Sequence, residues 1–342
     1  MAMRFDLLLP LLAILVKVGV VLVALLTAVA YAVWLERKVV ARIQSRWGPY
    51  RVGPHGLLQP VADALKIFFK EDIVPSDADR VVYWLAPFLA FTLALLSIAV
   101  IPFGTSITIG GHTIPFQIAD LNVGLLFVLA VTSLGVYGVA LAGWSSNSKY
   151  PLLGGLRSSA QMISYELSLG LGVVGVVMVA GSLSLREIVE RQSDLWNVFV
   201  QPVGFLLYFT AAIAETNRVP FDLPEGESEL VGGFHTEYSS FKFAMFFMAE
   251  YANIVTVSCL ATLLFFGGWL GPVFGPPLLR ALLPVLWFCL KVFCFLFLYI
   301  WIRGTLPRFR YDQLMAFGWK FLLPVGLLNV LVTSLILAWR ST

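Results

Sequence analysis

Three carboxylates, Glu166, Glu215 and Glu250, fall within or at the edge of apolar stretches long enough to cross a bilayer. Holding an ionised carboxylate at the membrane centre costs at least roughly 2.5–3.5 kcal/mol. Such a group needs water, a cation or a bound proton, and in that setting it has the chemistry of a proton carrier. Taken singly, each could also be a carboxylate hydrogen-bonded into helix packing. Three on neighbouring spans point to a proton pathway. Lys291, in the middle of the seventh apolar stretch, requires a carboxylate or water partner. Lys17, in the first, is placed to snorkel to the outer surface. A second acidic group lies between Arg218 and Ser240, where Asp222, Glu225, Glu227, Glu229 and Glu237 face a single arginine. Glu225, Glu227 and Glu229 alternate, so an extended chain would project them to one side and couple their titration. A solvated acidic loop is the competing reading of that run.

These residues depend on membrane helices for their placement. The chain has 342 residues, of which 59% are hydrophobic and 13% charged. A soluble domain carries roughly 25% charged residues. The apolar residues come in runs of about twenty or more, the length that spans roughly 30 Å of hydrocarbon. Expected spans are 7–35, 82–102, 121–144, 159–181, 198–214, 241–269, 282–302 and 314–339. The fold class is therefore an all-α integral membrane protein of about eight transmembrane helices, forming one membrane domain over residues 1–342. The first stretch exceeds the apolar core of a signal peptide and is expected to be a retained helix.

Charge sets the orientation. Of 23 Lys and Arg, Arg4, Arg186, Arg191, Arg280 and Arg340 lie at the termini and even loops, and Lys17 and Lys291 lie within spans. The remaining sixteen sit on the odd loops and their helix ends, which puts those loops on the cytoplasmic side and both termini outside. The first odd loop, residues 36–80, is long and basic, with turns at Gly48-Pro49 and Gly53-Pro54. Within it Val61, Ala64, Leu65, Phe68 and Phe69 keep helical spacing opposite Asp63, Lys66 and Lys70. This pattern predicts an amphipathic helix at the membrane surface. The acidic loop, residues 218–240, also faces that side.

Several chemistries are excluded or unsupported. The chain has no Gly-rich dinucleotide fingerprint and no P-loop. His55, His112 and His235 lie outside the helix interiors, so no intramembrane pair exists to hold a haem. Cys259, Cys289 and Cys294 form no CxxC and are expected to be packing residues. Residue types and spacing alone leave a proton-handling membrane protein, with a transporter or channel still open.

Longer motifs narrow this. Glu36-Arg37-Lys38, Arg46-Trp47-Gly48-Pro49 and Val52-Gly53-Pro54-His55-Gly56-Leu57-Leu58-Gln59-Pro60-Val61-Ala62-Asp63 resemble the first signature of the complex I membrane subunit called H in bacteria. The run from Ala214-Glu215-Thr216-Asn217-Arg218 through Pro224-Glu225-Gly226-Glu227-Ser228-Glu229 resembles the second. Gln161 to Glu166, Phe247 to Tyr251 and Pro307 to Gln313 match in order, so the resemblance covers almost the whole chain.

The resemblance implies a subunit of a proton-translocating NADH:quinone oxidoreductase in the bacterial inner membrane. Quinone would be its substrate, with no cofactor bound covalently and with flavin and iron–sulfur clusters held in partner subunits. Other subunits of the complex and membrane lipid would be its partners, with no nucleic acid. By position, Glu36, Arg37, Arg46, Asp63 and Arg218 would line the quinone tunnel and its entrance. Glu166, Glu215, Asp222, Glu225, Glu227, Glu229, Glu250 and Lys291 would belong to the proton pathway. The homologous subunit of a hydrogenase-type complex and a stand-alone channel or antiporter are the rival readings.

Overall fold

The computed structural model describes residues 2–109, 112–222 and 231–341. Helix α1 (Ala2–Ile43) is followed by a short 3-10 turn at Pro54–Gly56 and by α2 (Gln59–Phe68). Pro60 occupies the first turn of α2, where its missing N–H costs nothing. Nothing in α2 is buried, and Val61, Leu65, Phe68 and Phe69 are exposed. The predicted surface helix is present, with its apolar stripe open to lipid or to a partner.

Helix α3 (Arg80–Ser97) starts at Asp79, whose carboxylate accepts from the amides of Val81 and Val82 at 3.1 and 3.4 Å. That cap satisfies two of the orphan donors of the first turn. A small antiparallel hairpin, β1 (Ser106–Ile109) with β2 (His112–Pro115), connects α3 to α4 (Gly124–Ser145) in register Ser106 to Pro115 and Ile109 to His112. This hairpin is a local addition to an otherwise helical fold. Helix α5 (Lys149–Ala180) begins ten residues before its expected span and ends at Gly181, in the left-handed conformation with φ 65°. Short helices α6 (Leu185–Glu190) and α7 (Asn197–Val200) lead to α8 (Pro202–Glu215). The two long helices α9 (Ser240–Phe265) and α10 (Pro277–Thr305) follow. Then come α11 (Tyr311–Phe317), a π-helical turn at Gly318–Leu322, and α12 (Leu323–Ser341).

Seven helical stretches among the described residues are long and apolar enough to span a membrane. The fifth expected span differs. Gln201 breaks the helix between α7 and α8, because the residue before a proline is pushed out of the α region. This leaves α8 with 14 residues, about 21 Å at 1.5 Å per residue. The side chain of Gln201 stabilises the break by donating to Thr333 Oγ1 at 2.8 Å and accepting from Asn329 Nδ2 at 3.2 Å.

Burial orders the bundle. The apolar window of α9 is 67% buried, whereas those of α1 and of residues 311–340 are each 17% buried. Helix α9 is therefore the central column, and the first and last helices are peripheral. Small residues draw neighbours together, as membrane packing requires in the absence of a hydrophobic driving force. A Cβ at Gly172 on α5 would lie 2.9 Å from the Gly204 carbonyl oxygen and 3.0 Å from the Tyr208 nitrogen on α8. Polar groups pin α9 to its neighbours: Tyr208 donates to the Val257 carbonyl at 2.8 Å, and the Ser97 and Thr256 hydroxyls are 3.0 Å apart.

Candidate functional site

Where α1, α9 and α10 meet the turn that follows α8, five side chains converge. Arg218 is held there by its own backbone and by α5. Its amide bonds the Ile213 carbonyl, and Gln161 Nε2 donates to the carbonyls of Ala214 and Phe221 at 2.8 and 2.7 Å. From this turn Arg218 Nε reaches Glu250 Oε1 at 2.6 Å, and its Nη1 lies 3.8 Å from Glu36 Oε2. Tyr251 donates to the same Glu36 oxygen at 2.7 Å and places its ring 4.4 Å from the Arg218 guanidinium carbon. Arg303 donates to the other Glu36 oxygen. The Arg218 side chain is only 7% exposed. A charge this deep persists only when paired and hydrogen-bonded, and two carboxylates and an aromatic face supply that here.

Glu250 also faces a cavity of about 60 Å³ lined by Glu215, Asn217, His235, Asn253 and the rings of Phe243 and Phe247. That volume holds on the order of four water molecules at 10–15 Å³ each. On the far side, Thr132 of α4 hydrogen-bonds Glu215 of α8, and the adjacent Ser133 donates to Glu166 of α5. The Glu215 and Glu166 carboxyls lie close enough to interact electrostatically. Neighbouring hydroxyls on one helix thus join carboxyls from two others. The three carboxylates expected to form a pathway are in spatial order: Glu250, the polar cavity, Glu215, the hydroxyl pair, Glu166.

The remaining expected residues are distributed around this line. Asp222 pairs with Arg308 at 3.3 Å, just beyond the Arg218 turn. Arg37 and Asp63 form an exposed ion pair at 2.7 Å that ties α1 to α2. Arg46 is exposed and donates to Gln44 at 2.7 Å. Glu225, Glu227 and Glu229 lie outside the described residues. Lys291 is not brought to the cluster. Its ammonium is bound by the carbonyls of Phe266, Gly268 and Leu270 at 2.8–2.9 Å and lies over the Trp196 ring. Backbone carbonyls at the C-terminal end of α9 take the place of the carboxylate or water partner expected there.

Tyr251, Arg303, Thr132 and Ser133 take part without being marked out by residue type and spacing. Tyr251 adjoins Glu250 in one of the family-like motifs, and Arg303 bears in the sequence only on topology. The pair Thr132-Ser133, polar within an apolar span, is the signal that could have located the bridge.

Outside the membrane, burial drives the His235 imidazole down from 6.5 to about 4, with Asp222 opposing the shift. A larger apolar cavity of about 620 Å³ lies between α1, α9 and α10, lined by residues such as Leu25, Cys259 and Phe288. It shares Ala32 and Leu296 with the niche that holds Glu36, Arg218 and Arg303. An apolar compartment therefore adjoins the charged cluster directly.

The family model described as NADH dehydrogenase matches residues 16–334. The chain is 62% identical to the second H subunit of the NADH-quinone oxidoreductase of Koribacter versatilis, covering 96% of this chain and 98% of that one. It is 53% identical to the first such H subunit of Solibacter usitatus, covering 96% and 97%. With the H subunit of Syntrophotalea carbinolica the identity is 54%, covering 98% and 99%. A helical membrane bundle built around this cluster and matched over residues 16–334, the chain belongs to the NADH dehydrogenase family.

Proposed function

We propose that this chain is the membrane subunit of an NADH:quinone oxidoreductase that forms much of the quinone passage and couples quinone reduction to proton transfer. The observation that carries the reading is Arg218, bridging Glu36 and Glu250 at the junction between an apolar cavity and a polar one. An isoprenoid tail needs a long apolar passage, and a quinone that accepts two electrons draws two protons from nearby titratable groups. A change of charge near Arg218 alters its balance between the two carboxylates. Glu250 then exchanges protons with the cavity, and Glu215 and Glu166 carry the change onward through Thr132 and Ser133.

The same reading gives the peripheral features a purpose. Arg37, Arg46 and Asp63, beside the exposed apolar face of α2, frame the tunnel entrance against lipid and the peripheral subunits. Asp222, paired with Arg308, lies beneath the quinone head group, and the acidic residues Glu225, Glu227 and Glu229 belong by their charge to the same coupling pathway. Flavin and iron–sulfur clusters belong to partner subunits, and the excess of cations on the odd loops supports termini on the periplasmic side of a bacterial inner membrane.

The test is NADH-driven reduction of a short-tailed quinone by the complex purified in mild detergent through a tag on this chain. Turnover sensitive to a tunnel-blocking inhibitor is the expected result. An intact assembly that ignores NADH and oxidises another donor would assign the chain to a hydrogenase-type complex instead.

A further inference from the structure

The polar cavity has a wall that the carboxylate line does not use. His235, in the 3-10 turn Gly233–His235 before α9, lines it together with Glu215, Asn217, Glu250 and Asn253. The ring is held between aromatic neighbours, with centroids 5.0 Å from Phe234 and 5.2 Å from Phe243. The turn that carries it is pressed against α5: a Cβ at Gly154 would meet the Gly233 carbonyl carbon and the Phe234 nitrogen at 2.8 Å. Asp222, the last described residue before the acidic run, acts electrostatically on the imidazole from the loop side. Among the described residues, the charged and titratable groups facing the ring include Asp222 from the loop, Glu215 from α8 and Glu250 from α9. The imidazole lines the water-sized chamber and feels the Asp222 carboxylate.

We propose that His235 is a proton relay that refills this chamber from the side of Asp222. The proposal rests on the coupling function assigned above and adds a supply route to it. An imidazole has two ring nitrogens, one carrying a proton and one accepting. The unprotonated nitrogen takes a proton arriving from the side of Asp222, and the other nitrogen releases its own proton into the chamber toward Glu250 or Glu215. One N–H bond forms, one breaks, and the ring is neutral before and after. A half-turn of the ring then turns the protonated nitrogen back toward the chamber and the accepting one toward the supply side, ready for the next proton. Burial that keeps the ring uncharged in neutral solution suits this role, because a lasting positive charge would pair with Glu250 and trap the proton. Asparagine or glutamine at this position would preserve a hydrogen bond but could not pass a proton through.

The experiment uses the whole complex in proteoliposomes, comparing wild type with His235→Asn, His235→Gln and His235→Gly. Rates are normalised to assembled complex. Inhibitor-sensitive quinone reduction and proton uptake are followed across pH. Relay predicts that Asn and Gln both slow coupled turnover by roughly tenfold or more. The loss should deepen toward alkaline pH, where protons are scarce. Added imidazole should restore the Gly variant, a readout that a packing role would not give. An Asn or Gln variant with wild-type rates and an unchanged pH profile overturns the relay while leaving the coupling function intact. A wild-type complex without inhibitor-sensitive NADH:quinone activity overturns both.

Discussion

Arg218 meets two carboxylates with one guanidinium, and its neighbours leave little slack. Leucine in its place strips Glu250 of its arginine and leaves Glu36 to Arg303 and Tyr251 alone. Breaking a buried ion pair from one side costs about 3–5 kcal/mol. Arg218→Leu is therefore expected to lower the thermal midpoint of the detergent-solubilised complex clearly. Arg218→Lys should preserve most of that stability but lose turnover, because a point-charge ammonium cannot span both partners as the planar fork does. Equal stability for all three proteins would contradict the bridge. His235 gives a second residue-scale expectation, and its sign follows from linkage. The unfolded chain takes up a proton near pH 6.5, whereas the buried ring resists until about pH 4. The stability it contributes is present above the unfolded value and is lost as the pH falls through that window. Melting curves from pH 7 downward should show wild type losing more stability than His235→Asn, with parallel losses contradicting burial of a neutral ring.

Helices α5 and α8 approach so closely at Gly172 that a side chain there would strike the backbone of Gly204 and Tyr208. Gly172→Val should cost about 1–3 kcal/mol, typical of overpacking a tight site. It should also depress coupled turnover, since Glu215 at the end of α8 would shift from Glu166 and Thr132. Unchanged melting and turnover would show that the contact is dispensable. Helix α8 also marks the limit of what the sequence discloses about elements. Its apolar run is long enough to suggest one complete span, and only Pro202 signals the break. That break becomes intelligible once Asn329 and Thr333, more than a hundred residues later, are seen to bind Gln201. The other long helices were legible because length and hydropathy alone decide them. The bridge through Thr132 and Ser133 was not, because helix hydroxyls ordinarily bond their own backbone, and both of these do so too, to the Leu129 carbonyl. The convergence of Glu36, Glu250 and Arg303 on Arg218 likewise depends on tertiary placement. Lys291 shows the reverse situation: its mid-span position suggests proton handling, while three carbonyls and an indole ring hold it near the end of α9.

Across the whole molecule, charge and burial divide the work. The exposed α1, α2 and α12 present apolar surface outward, while the buried α9 carries Glu250 and Tyr251 between two cavities. Orientation can be checked with single cysteines in a background lacking Cys259, Cys289 and Cys294. A cysteine at Ser341 should react with an impermeant maleimide added outside the inner membrane, and one at Arg46 should not; the reverse pattern would invert the topology. Proton transfer along Glu250, Glu215 and Glu166, driven by events beside Arg218, links these levels. The most direct measurement is NADH-driven proton uptake and quinone reduction by the reconstituted complex carrying Glu166→Gln or Glu250→Gln, with assembly verified for each. A carboxylate route predicts that both variants assemble and that both lose coupled turnover by roughly tenfold or more, since neutral amides keep the hydrogen bonds but carry no proton. If both variants retain quinone reduction and proton uptake at wild-type rates, the carboxylate route is wrong.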